Sequence, residues 1–161
     1  MVKKKVPSTR AINFLRQKDV EYEPRFFRYD PESVTEVAAE DIGVDVTLII
    51  KTLVMEDNGG SPFLVLMHGG RQVSTKKLAR IMGVKSVTST SRRRAEKLTG
   101  YMIGGISPFG VRKRMPVYVH SSILELDTLY INGGRRGLLV GMSPEGLVKA
   151  LDPQVVDIAR P

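Results

Sequence analysis

Apolar residues recur at helical spacing in five segments of the chain. These segments are bounded by capping serines or threonines and by glycines, which are common start and stop signals of an α-helix. In the third segment, Leu78, Ile81 and Met82 are predicted to face inward. The predicted helices are residues 9–18, residues 33–42, the segment between Ser74 and Gly83, the segment that Thr90 or Ser91 opens and Gly100 ends, and residues 144–151 behind Ser143.

Between the helical segments lie short runs that favour β-strands. The runs at 48–55 and 62–68 flank the turn Glu56-Asp-Asn-Gly-Gly, which predicts a hairpin. Pro24 interrupts the first run and favours an edge strand or a bulge. Because strands and helices interleave irregularly, the pattern predicts a single mixed α/β domain over residues 1–161 rather than a doubly wound parallel sheet. The predicted strands are residues 22–28, 48–55, 62–68, 84–87, 117–119, 129–132 and 137–140.

Lys51 stands out because it interrupts the apolar run Leu48-Ile-Ile-Lys-Thr-Leu-Val-Met. Strand alternation places it on the same face as Ile49, Leu53 and Met55. A lysine in this position reaches solvent past its neighbours, finds a partner or lines a cavity. At a pocket wall it would supply a fixed positive charge for a phosphate, a ribose oxygen or a developing oxyanion.

A second unusual feature is the glycine-rich but apolar stretch that follows Gly100. Residues 104–110 read Gly-Gly-Ile-Ser-Pro-Phe-Gly. Adjacent glycines permit positive φ and let the backbone approach a ligand closely, so exposed N–H groups here could form an oxyanion hole. The same residues are compatible with a tight turn, and the Gly-Lys-Ser/Thr ending of a phosphate-binding P-loop is absent.

The net charge of +8 makes a polyanion, most commonly a nucleic acid, a candidate partner. Basic residues cluster at Lys3 to Lys5, at Arg92 to Arg94 with Lys97, and at Arg112 to Arg114, and two more arginines follow Asn132-Gly-Gly in a predicted hairpin turn. Each cluster could meet phosphates or form a solvated face. Arg92 to Arg94 lie at the predicted start of a helix, where the helix dipole disfavours positive charge. A phosphate partner is one candidate reason for their presence there.

The remaining composition excludes several classes of protein. Apolar residues make up 42% and charged residues 26%, as in an ordinary soluble globule. The chain has no cysteine, and its two histidines, His68 and His120, are far apart, which excludes disulfides and argues against a zinc site. No apolar run approaches the length of a membrane span and no secretory leader is recognisable, so we expect a cytoplasmic protein without membrane association.

Common hydrolytic motifs are also missing. There is no Gly-x-Ser-x-Gly nucleophile elbow and no His-Glu-x-x-His, and neither histidine has an evident serine partner. His68 closes a strand, where it could line a pocket rim or be an ordinary strand-end histidine. A hydrolase with this sequence would therefore position a water molecule, or use groups of the substrate, and stabilise the oxyanion with backbone dipoles.

Taken in order, these residues resemble the YbaK/EbsC family of aminoacyl-tRNA deacylases, which is related to the editing domain of bacterial prolyl-tRNA synthetases. The resemblance spans nearly the whole chain, from the amphipathic first helix to the Gly-Gly-Arg-Arg-Gly-Leu string that starts at Gly133. Its most specific part is Thr99-Gly-Tyr-Met-Ile-Gly-Gly-Ile-Ser-Pro-Phe-Gly. Ile50-Lys-Thr-Leu and Lys76-Lys-Leu-Ala precede that string at the right distance.

Membership would imply a compact α/β domain around a curved, mixed and largely antiparallel sheet. The activity would be hydrolysis of the ester of a mischarged tRNA, most often Cys- or Ala-tRNA(Pro), with no metal or other cofactor. The partners would be mischarged tRNA, in particular tRNA(Pro), and prolyl-tRNA synthetase. Lys51 would position the 3′-terminal adenosine and the substrate, and the Gly104 backbone would contact the reacting centre. The resemblance also assigns substrate-binding positions to Phe27, Thr52, Gly105, Ser107, Pro108, Asn132 and Gly133.

Three positions depart from the cysteine-removing members of this family. The tyrosine that those members carry before the second helix has its nearest match in Phe27, with Tyr29 two residues further on. Leu139 replaces an aspartate, and Asn132 replaces a serine. These changes leave Lys51 and the glycine loop intact, but they leave open which amino acid is removed.

The sequence therefore predicts a trans-editing hydrolase in which Lys51 anchors the terminal adenosine and the backbone of Gly104 and Gly105 holds the scissile carbonyl. Two alternatives remain. One is a non-catalytic module of the same fold that binds tRNA or a synthetase. The other is a small-molecule hydrolase that uses the same pocket without tRNA.

Overall fold

The computed structural model describes residues 6–161, so the Lys3 to Lys5 cluster lies outside the described residues. Five helices and eight strands follow one another along the described chain. The helices are α1 (Arg10–Gln17), α2 (Val34–Ile42), α3 (Thr75–Met82), α4 (Arg92–Thr99) and α5 (Pro144–Leu151). The strands are β1 (Glu23–Phe26), β2 (Ile49–Asp57), β3 (Pro62–His68), β4 (Val87–Ser89), β5 (Val117–His120), β6 (Leu129–Asn132), β7 (Leu138–Met142) and β8 (Gln154–Val156).

The eight strands form one mixed sheet. Seven of them follow the order β1-β7-β6-β2-β3-β5-β8, and β4 pairs separately with β2. Among the described strands, four pairings are antiparallel and three are parallel. β1 is an edge strand, as Pro24 predicts. The predicted mixed α/β fold is confirmed.

Helix boundaries follow the capping signals in the sequence. The side chains of Thr9, Ser74, Ser91 and Ser143 each accept a hydrogen bond from the backbone N–H three residues further on. At the other end, α2, α3 and α4 stop at glycines in the left-handed conformation, Gly43, Gly83 and Gly100. These local signals explain why the helices were predictable from sequence.

Some details of the predicted elements are wrong. Ile81 is 50% exposed, because α3 turns Leu78 and Ala79 toward the core instead. The strand predicted at 84–87 forms at Val87–Ser89, since the Asn58 side chain accepts the N–H groups of residues 85 and 86 and holds them in a loop. β8 and two short 3-10 helices, Val46–Leu48 and Ser121–Glu125, were not predicted because such short segments show no period.

The core lies on both faces of the β2–β3 hairpin. On one face, Leu66 packs in a cluster with Ile12 of α1, and Leu64 packs in a cluster with Ala95 of α4. On the opposite face, Val65 and Met67 pack against α3. α2 covers this second face near the start of β2, where it buries Ile49. The site described next lies at the edge of β2 between these layers.

Candidate active site

Lys51 is half-buried near the start of β2, on the face that α2 and α3 cover. Its Nζ donates a hydrogen bond of 2.5 Å to the carbonyl oxygen of Arg71, in the connection between β3 and α3. Burial lowers the pKa of Lys51 from its ordinary value of 10.5, and the carboxylate of Glu36 acts weakly in the opposite direction. Since its hydrogen-bond partner is a neutral carbonyl, the ammonium charge is left free to attract an anionic or polar group.

Lys51 lies in a part of β2 that has no hydrogen-bonded neighbouring strand on one of its two edges. The pairing of β2 with β6 ends at Ile50 and Ile131, and its pairing with β4 begins at Met55 and Ser89. No strand among residues 6–161 pairs with positions 51–53 on this edge. We call this unpaired edge of the sheet, at positions 51–53 of β2, the notch. The register places Asn132, one residue past the last pair, alongside Lys51 on the same face.

Asn132 connects this notch to the glycine loop. Its Oδ1 accepts hydrogen bonds from the N–H groups of Gly134 and Arg135, at 2.7 and 3.1 Å. Its Nδ2 donates a hydrogen bond to the carbonyl oxygen of Gly104, at 3.3 Å. One amide side chain therefore fixes both the turn after β6 and the loop that carries the predicted catalytic glycine.

Gly104 cannot be replaced by another residue without displacing its neighbours. Its φ is +90°, and a Cβ there would lie 2.5 Å from the Tyr29 hydroxyl. A Cβ on Gly105 would lie 2.9 Å from the backbone nitrogen of Arg136. The Gly105 N–H donates to the Met102 carbonyl at 2.8 Å, which closes a tight turn. Among the described residues the Gly104 N–H has no such partner, so it is one of the loop donors that remain available to a substrate oxygen.

Two side chains hold the outer side of this loop. The Arg136 Nε donates to the Ile103 carbonyl at 2.8 Å, and its guanidinium lies over the ring of Tyr29, 4.8 Å from the ring centre. Both residues line a cavity of about 400 Å³ that also includes Phe27 and Arg135. Volumes of this order accommodate small ligands. The cavity wall contains two arginines and no acidic residue.

Tyr29, rather than Phe27, is the aromatic residue against the glycine loop. Phe27 is 9% exposed and packs with Ala38, Ile49 and Leu139 beneath α2. The resemblance in sequence matched Phe27 to the family's tyrosine, but only Tyr29 contacts Gly104. Leu139 occupies the position of the family's aspartate and is buried in the same apolar cluster. This side of the site is therefore apolar.

Thr52 and Ser107 differ in how their hydroxyl groups are satisfied. The Thr52 Oγ1 is buried and has no hydrogen-bond partner among the described residues, and such groups are rare because each costs about 1–3 kcal/mol. The Ser107 Oγ is fully buried and accepts a hydrogen bond from the Phe109 N–H. Thr52 pairs with Leu66 on the face of β2 opposite to Lys51 and has an unsatisfied hydroxyl, whereas the Ser107 hydroxyl stabilises the loop.

The loop is also braced from behind. The Tyr101 hydroxyl donates to the Phe109 carbonyl, and burial raises the pKa of Tyr101 to about 12. Thr9 donates to the Gly133 carbonyl at 2.6 Å, which ties α1 to the turn after β6. Pro108 lies further along the loop and lines a different cavity, beside α1. The structure thus brings Lys51, Asn132, Gly133, Gly104 and Gly105 into one region and places Pro108 away from it.

His68 does have a serine partner, contrary to the prediction from sequence. Its Nε2 lies 2.8 Å from Ser122 Oγ, and its Nδ1 lies 2.6 Å from the Thr47 carbonyl. The carbonyl requires a proton on Nδ1, so Nε2 accepts from the serine. His120 packs edge-on at 5.9 Å, and its pKa is lowered by burial and by nearby Arg71. Ser122 is 54 residues from His68 in the chain, and no sequence motif signals this pair.

The described residues contain neither a membrane-spanning helix nor a cluster of metal-binding side chains. No helix within residues 6–161 is long and apolar enough to cross a membrane. Within the same residues, no cluster of three or more histidine and carboxylate side chains could hold a metal ion.

Comparison with known proteins identifies the family to which this chain belongs. A family model described as an aminoacyl-tRNA editing domain matches residues 31–150. A protein of Enterococcus faecalis, provisionally named as the Cys-tRNA(Pro)/Cys-tRNA(Cys) deacylase EbsC, is 30% identical over 98% of both chains. The proline–tRNA ligase of Thermodesulfovibrio yellowstonii is 25% identical over 99% of this chain, which corresponds to 26% of the ligase.

Solved structures show the same fold. The structure of the hypothetical protein APE2540 superposes with a TM-score of 0.85 at 25% identity, covering 94% of this chain and 99% of the other. A structure provisionally described as a trans-editing enzyme for prolyl-tRNA synthetase superposes with a TM-score of 0.82 at 23% identity, covering 98% and 100%. With the family model and the curated relative in agreement, this chain belongs to the aminoacyl-tRNA editing domain family and is an aminoacyl-tRNA deacylase.

Proposed function

We propose that this chain acts in trans on mischarged tRNA(Pro) and hydrolyses the ester of cysteine or alanine. The observation that carries the proposal is the notch beside β2, where Lys51, Asn132 and the glycine loop adjoin. The name of the Enterococcus faecalis relative gives Cys-tRNA(Pro) and Cys-tRNA(Cys) as its substrates. The matched region of the proline–tRNA ligase supports a connection with proline-specific tRNA.

Lys51 is the proposed anchor for the 3′-terminal adenosine. Its ammonium group is held in place by the Arg71 carbonyl, and no described carboxylate forms an ion pair with it. A half-buried cation of this kind interacts more strongly with phosphate or ribose oxygens than one in water, because the local dielectric is lower. Lys51 is therefore an anchor and not a nucleophile.

The Gly104 N–H is the proposed donor to the scissile carbonyl. Water adds to the ester carbon, the carbonyl oxygen becomes an oxyanion that the N–H stabilises, and the C–O bond to the ribose then breaks. The released ribose oxygen takes up a proton, which the attacking water supplies. A single oxyanion donor of this kind contributes roughly 10²- to 10³-fold to the rate. The Asn132 amide holds the donor in place through the Gly104 carbonyl.

The remaining predicted contact residues fall into two groups, those kept as substrate contacts and those that support the surrounding structure. Thr52, next to Lys51 in β2, and the backbone of Gly133, next to Asn132, stay in the proposal as substrate contacts. Phe27 contributes through the apolar cluster that it forms with Leu139, and Gly105 by closing the turn. Ser107 and Pro108 are proposed to support the loop rather than touch the amino acid. A cavity wall with two arginines and no acidic group disfavours a cationic side chain, and alanine and cysteine are both small and uncharged.

A deacylation panel tests the proposal. The purified chain is incubated with Cys-, Ala-, Ser- and Pro-tRNA(Pro), and loss of each ester is followed over time. We expect rapid hydrolysis of Ala- or Cys-tRNA(Pro) and no hydrolysis of Pro-tRNA(Pro). Tight binding of tRNA without hydrolysis of any ester, by a correctly folded protein, would favour the non-catalytic module instead. Turnover of small esters alone would favour a small-molecule hydrolase.

A further inference from the structure

Six exposed cations form a continuous surface around the C-terminal end of α4. They belong to α1, to α4 and to the segment after the glycine loop, and we call them the basic track: Arg10, Lys18, Lys97, Arg112, Lys113 and Arg114. Four of them lie beside Gly100, where α4 ends, and the other two follow the groove along α1. This surface contains one whole basic cluster seen in the sequence, Arg112 to Arg114, and only Lys97 from the cluster on α4.

Arg94 is not part of the track, because it has a structural role. Its guanidinium forms an ion pair with Glu56 and donates to the Gly60 carbonyl. By contrast, no track side chain forms an ion pair or a side-chain hydrogen bond with another residue in the described range 6–161. Arg94 lines the same groove as Lys97, but its charge is already paired within the protein.

The track holds like charges close together. The Arg10 Nη1 and the Arg112 Nε lie 2.9 and 3.7 Å from the position that a Cβ on Gly100 would occupy, so they are at most 6.6 Å apart. The backbone N–H groups of Arg112 and Lys113 donate to the Thr99 and Leu98 carbonyls, which fixes this segment against the helix. The α4 dipole offsets only roughly half of one positive charge at that end. Most of the repulsion is therefore uncompensated.

The track residues line two grooves, and neither groove has an acidic residue in its wall. One has a volume of about 500 Å³ and includes Arg10, Lys18 and Arg114, with Phe14 in its wall. The other has a volume of about 460 Å³ and includes Lys97, Arg112 and Lys113. Two guanidinium nitrogens no more than 6.6 Å apart can both donate to the oxygens of one phosphate. The spacing and the absence of acidic residues from these two groove walls match a sugar–phosphate backbone.

The track adjoins the candidate active site. Arg10 directly follows Thr9, whose hydroxyl is bonded to the Gly133 carbonyl, one residue from Asn132. Pro108 and Gly110, which continue the glycine loop, line the larger groove. We propose that the basic track binds the phosphate backbone of the tRNA acceptor stem while the 3′ end occupies the notch beside Lys51. This inference rests on the proposed function and adds the surface that recognises the RNA.

The test compares two double variants that remove the same charge. Arg10→Ala/Arg112→Ala removes the centre of the track, and Arg80→Ala/Lys85→Ala removes two exposed cations associated with α3, on the other face of the sheet. The probe is an uncharged acceptor-stem minihelix of tRNA(Pro) with its single-stranded 3′ end. Its binding is measured over a series of salt concentrations. Circular dichroism confirms that both variants are folded.

We expect the track variant to bind more weakly, with a plot of log K against log salt that is shallower by roughly 0.9, the change for the one phosphate that Arg10 and Arg112 neutralise together. The α3 variant should keep the wild-type slope. An unchanged slope in the track variant would overturn the inference and would point instead to an acidic protein as its partner. Equal decreases in affinity and slope for both variants would also overturn it, because net charge would then be sufficient.

A separate assay keeps this inference distinct from the proposed function. Hydrolysis of a 3′-aminoacyl-adenosine, which lacks the stem, should be unchanged in the track variant. If neither the wild type nor any variant hydrolyses an ester, the proposed function fails while the minihelix measurement still decides the role of the track. If the short substrate is hydrolysed more slowly by the track variant, these residues act on the reaction centre and the inference is wrong.

Discussion

The side-chain amide of Asn132 donates a hydrogen bond to the carbonyl of Gly104, 28 residues earlier in the chain, and by register lies alongside Lys51. This contact joins the strand edge that carries the predicted anchor to the loop that carries the predicted oxyanion donor. Neither element alone forms a site. The geometry of the notch therefore depends on one side chain, which the resemblance in sequence had assigned to substrate binding rather than to this contact.

Replacing Asn132 by Asp should loosen the glycine loop. The carboxylate can still accept from Gly134 and Arg135, but it cannot donate to the Gly104 carbonyl. Loss of a hydrogen bond worth about 1–1.5 kcal/mol predicts roughly a tenfold slower single-turnover deacylation. Asn58→Asp is a matched control, since Asn58 also accepts two backbone N–H groups but lies far along the β2–β3 hairpin. Equal rates in both variants would show that the contact does not support catalysis.

Gly104→Ala should impair activity more than its backbone strain alone explains. Gly43 also has a positive φ, +73°, but a Cβ there meets nothing within 4 Å, whereas a Cβ on Gly104 collides with Tyr29. Each substitution should cost about 1–2 kcal/mol of unfolding free energy because of the conformation. Only Gly104→Ala should slow deacylation. Deacylation rates and thermal unfolding are measured for both variants. A wild-type deacylation rate for Gly104→Ala would show that this glycine does not act in the mechanism.

Thr52→Val should separate stability from substrate binding. The Thr52 hydroxyl is buried without a partner among the described residues, so its removal should leave the unfolding free energy unchanged or raise it. If the hydroxyl contacts the substrate, KM for aminoacyl-tRNA should rise at the same time. Thr99→Val is the contrasting control, because the Thr99 hydroxyl donates to the Ala95 carbonyl and accepts from Tyr101. That variant should lose about 1 kcal/mol of stability, and an unchanged KM in Thr52→Val would place its hydroxyl outside the site.

The pH dependence of deacylation should report the charge of Lys51. Burial lowers the pKa of Lys51, so the cation is present below that pKa and is lost as pH rises, earlier than in a free lysine. After subtraction of spontaneous ester hydrolysis, the rate should fall on the alkaline side. Glu36→Gln removes the carboxylate that raises this pKa and should shift the fall to lower pH. Glu40→Gln, also exposed on α2, is the control, and identical profiles for all three proteins would contradict this role for Lys51.

The sequence was sufficient for features that depend on local signals. Serine caps and terminal glycines defined the helices, and strand alternation alone made Lys51 conspicuous in β2. Glycine at position 104 was also recognisable, because adjacent glycines imply close backbone contacts. These signals are encoded within a few residues, and they gave most of the elements and the two central residues of the candidate site.

Contacts between distant segments were not predictable in the same way. The pairing of His68 with Ser122 and the contact of Tyr29 with Gly104 depend on how strands are ordered in the sheet. The ion pair that occupies Arg94, but not Lys97, is formed with Glu56, 38 residues away. The inward direction predicted for Ile81 failed because an eight-residue helix can be rotated about its axis without changing its apolar period. Register and helix rotation are set by the packed core rather than by a local pattern.

The most direct test of the central claim is single-turnover deacylation of Ala- and Cys-tRNA(Pro) by the wild type and by Lys51→Met. Methionine retains the length and apolar stem of the lysine but removes the charge, so the fold should persist. If Lys51 anchors the substrate through a charge-assisted contact worth about 1.5–3 kcal/mol, the variant should be roughly 10- to 100-fold slower. Wild-type rates on both substrates, from a folded Lys51→Met protein, would contradict the account.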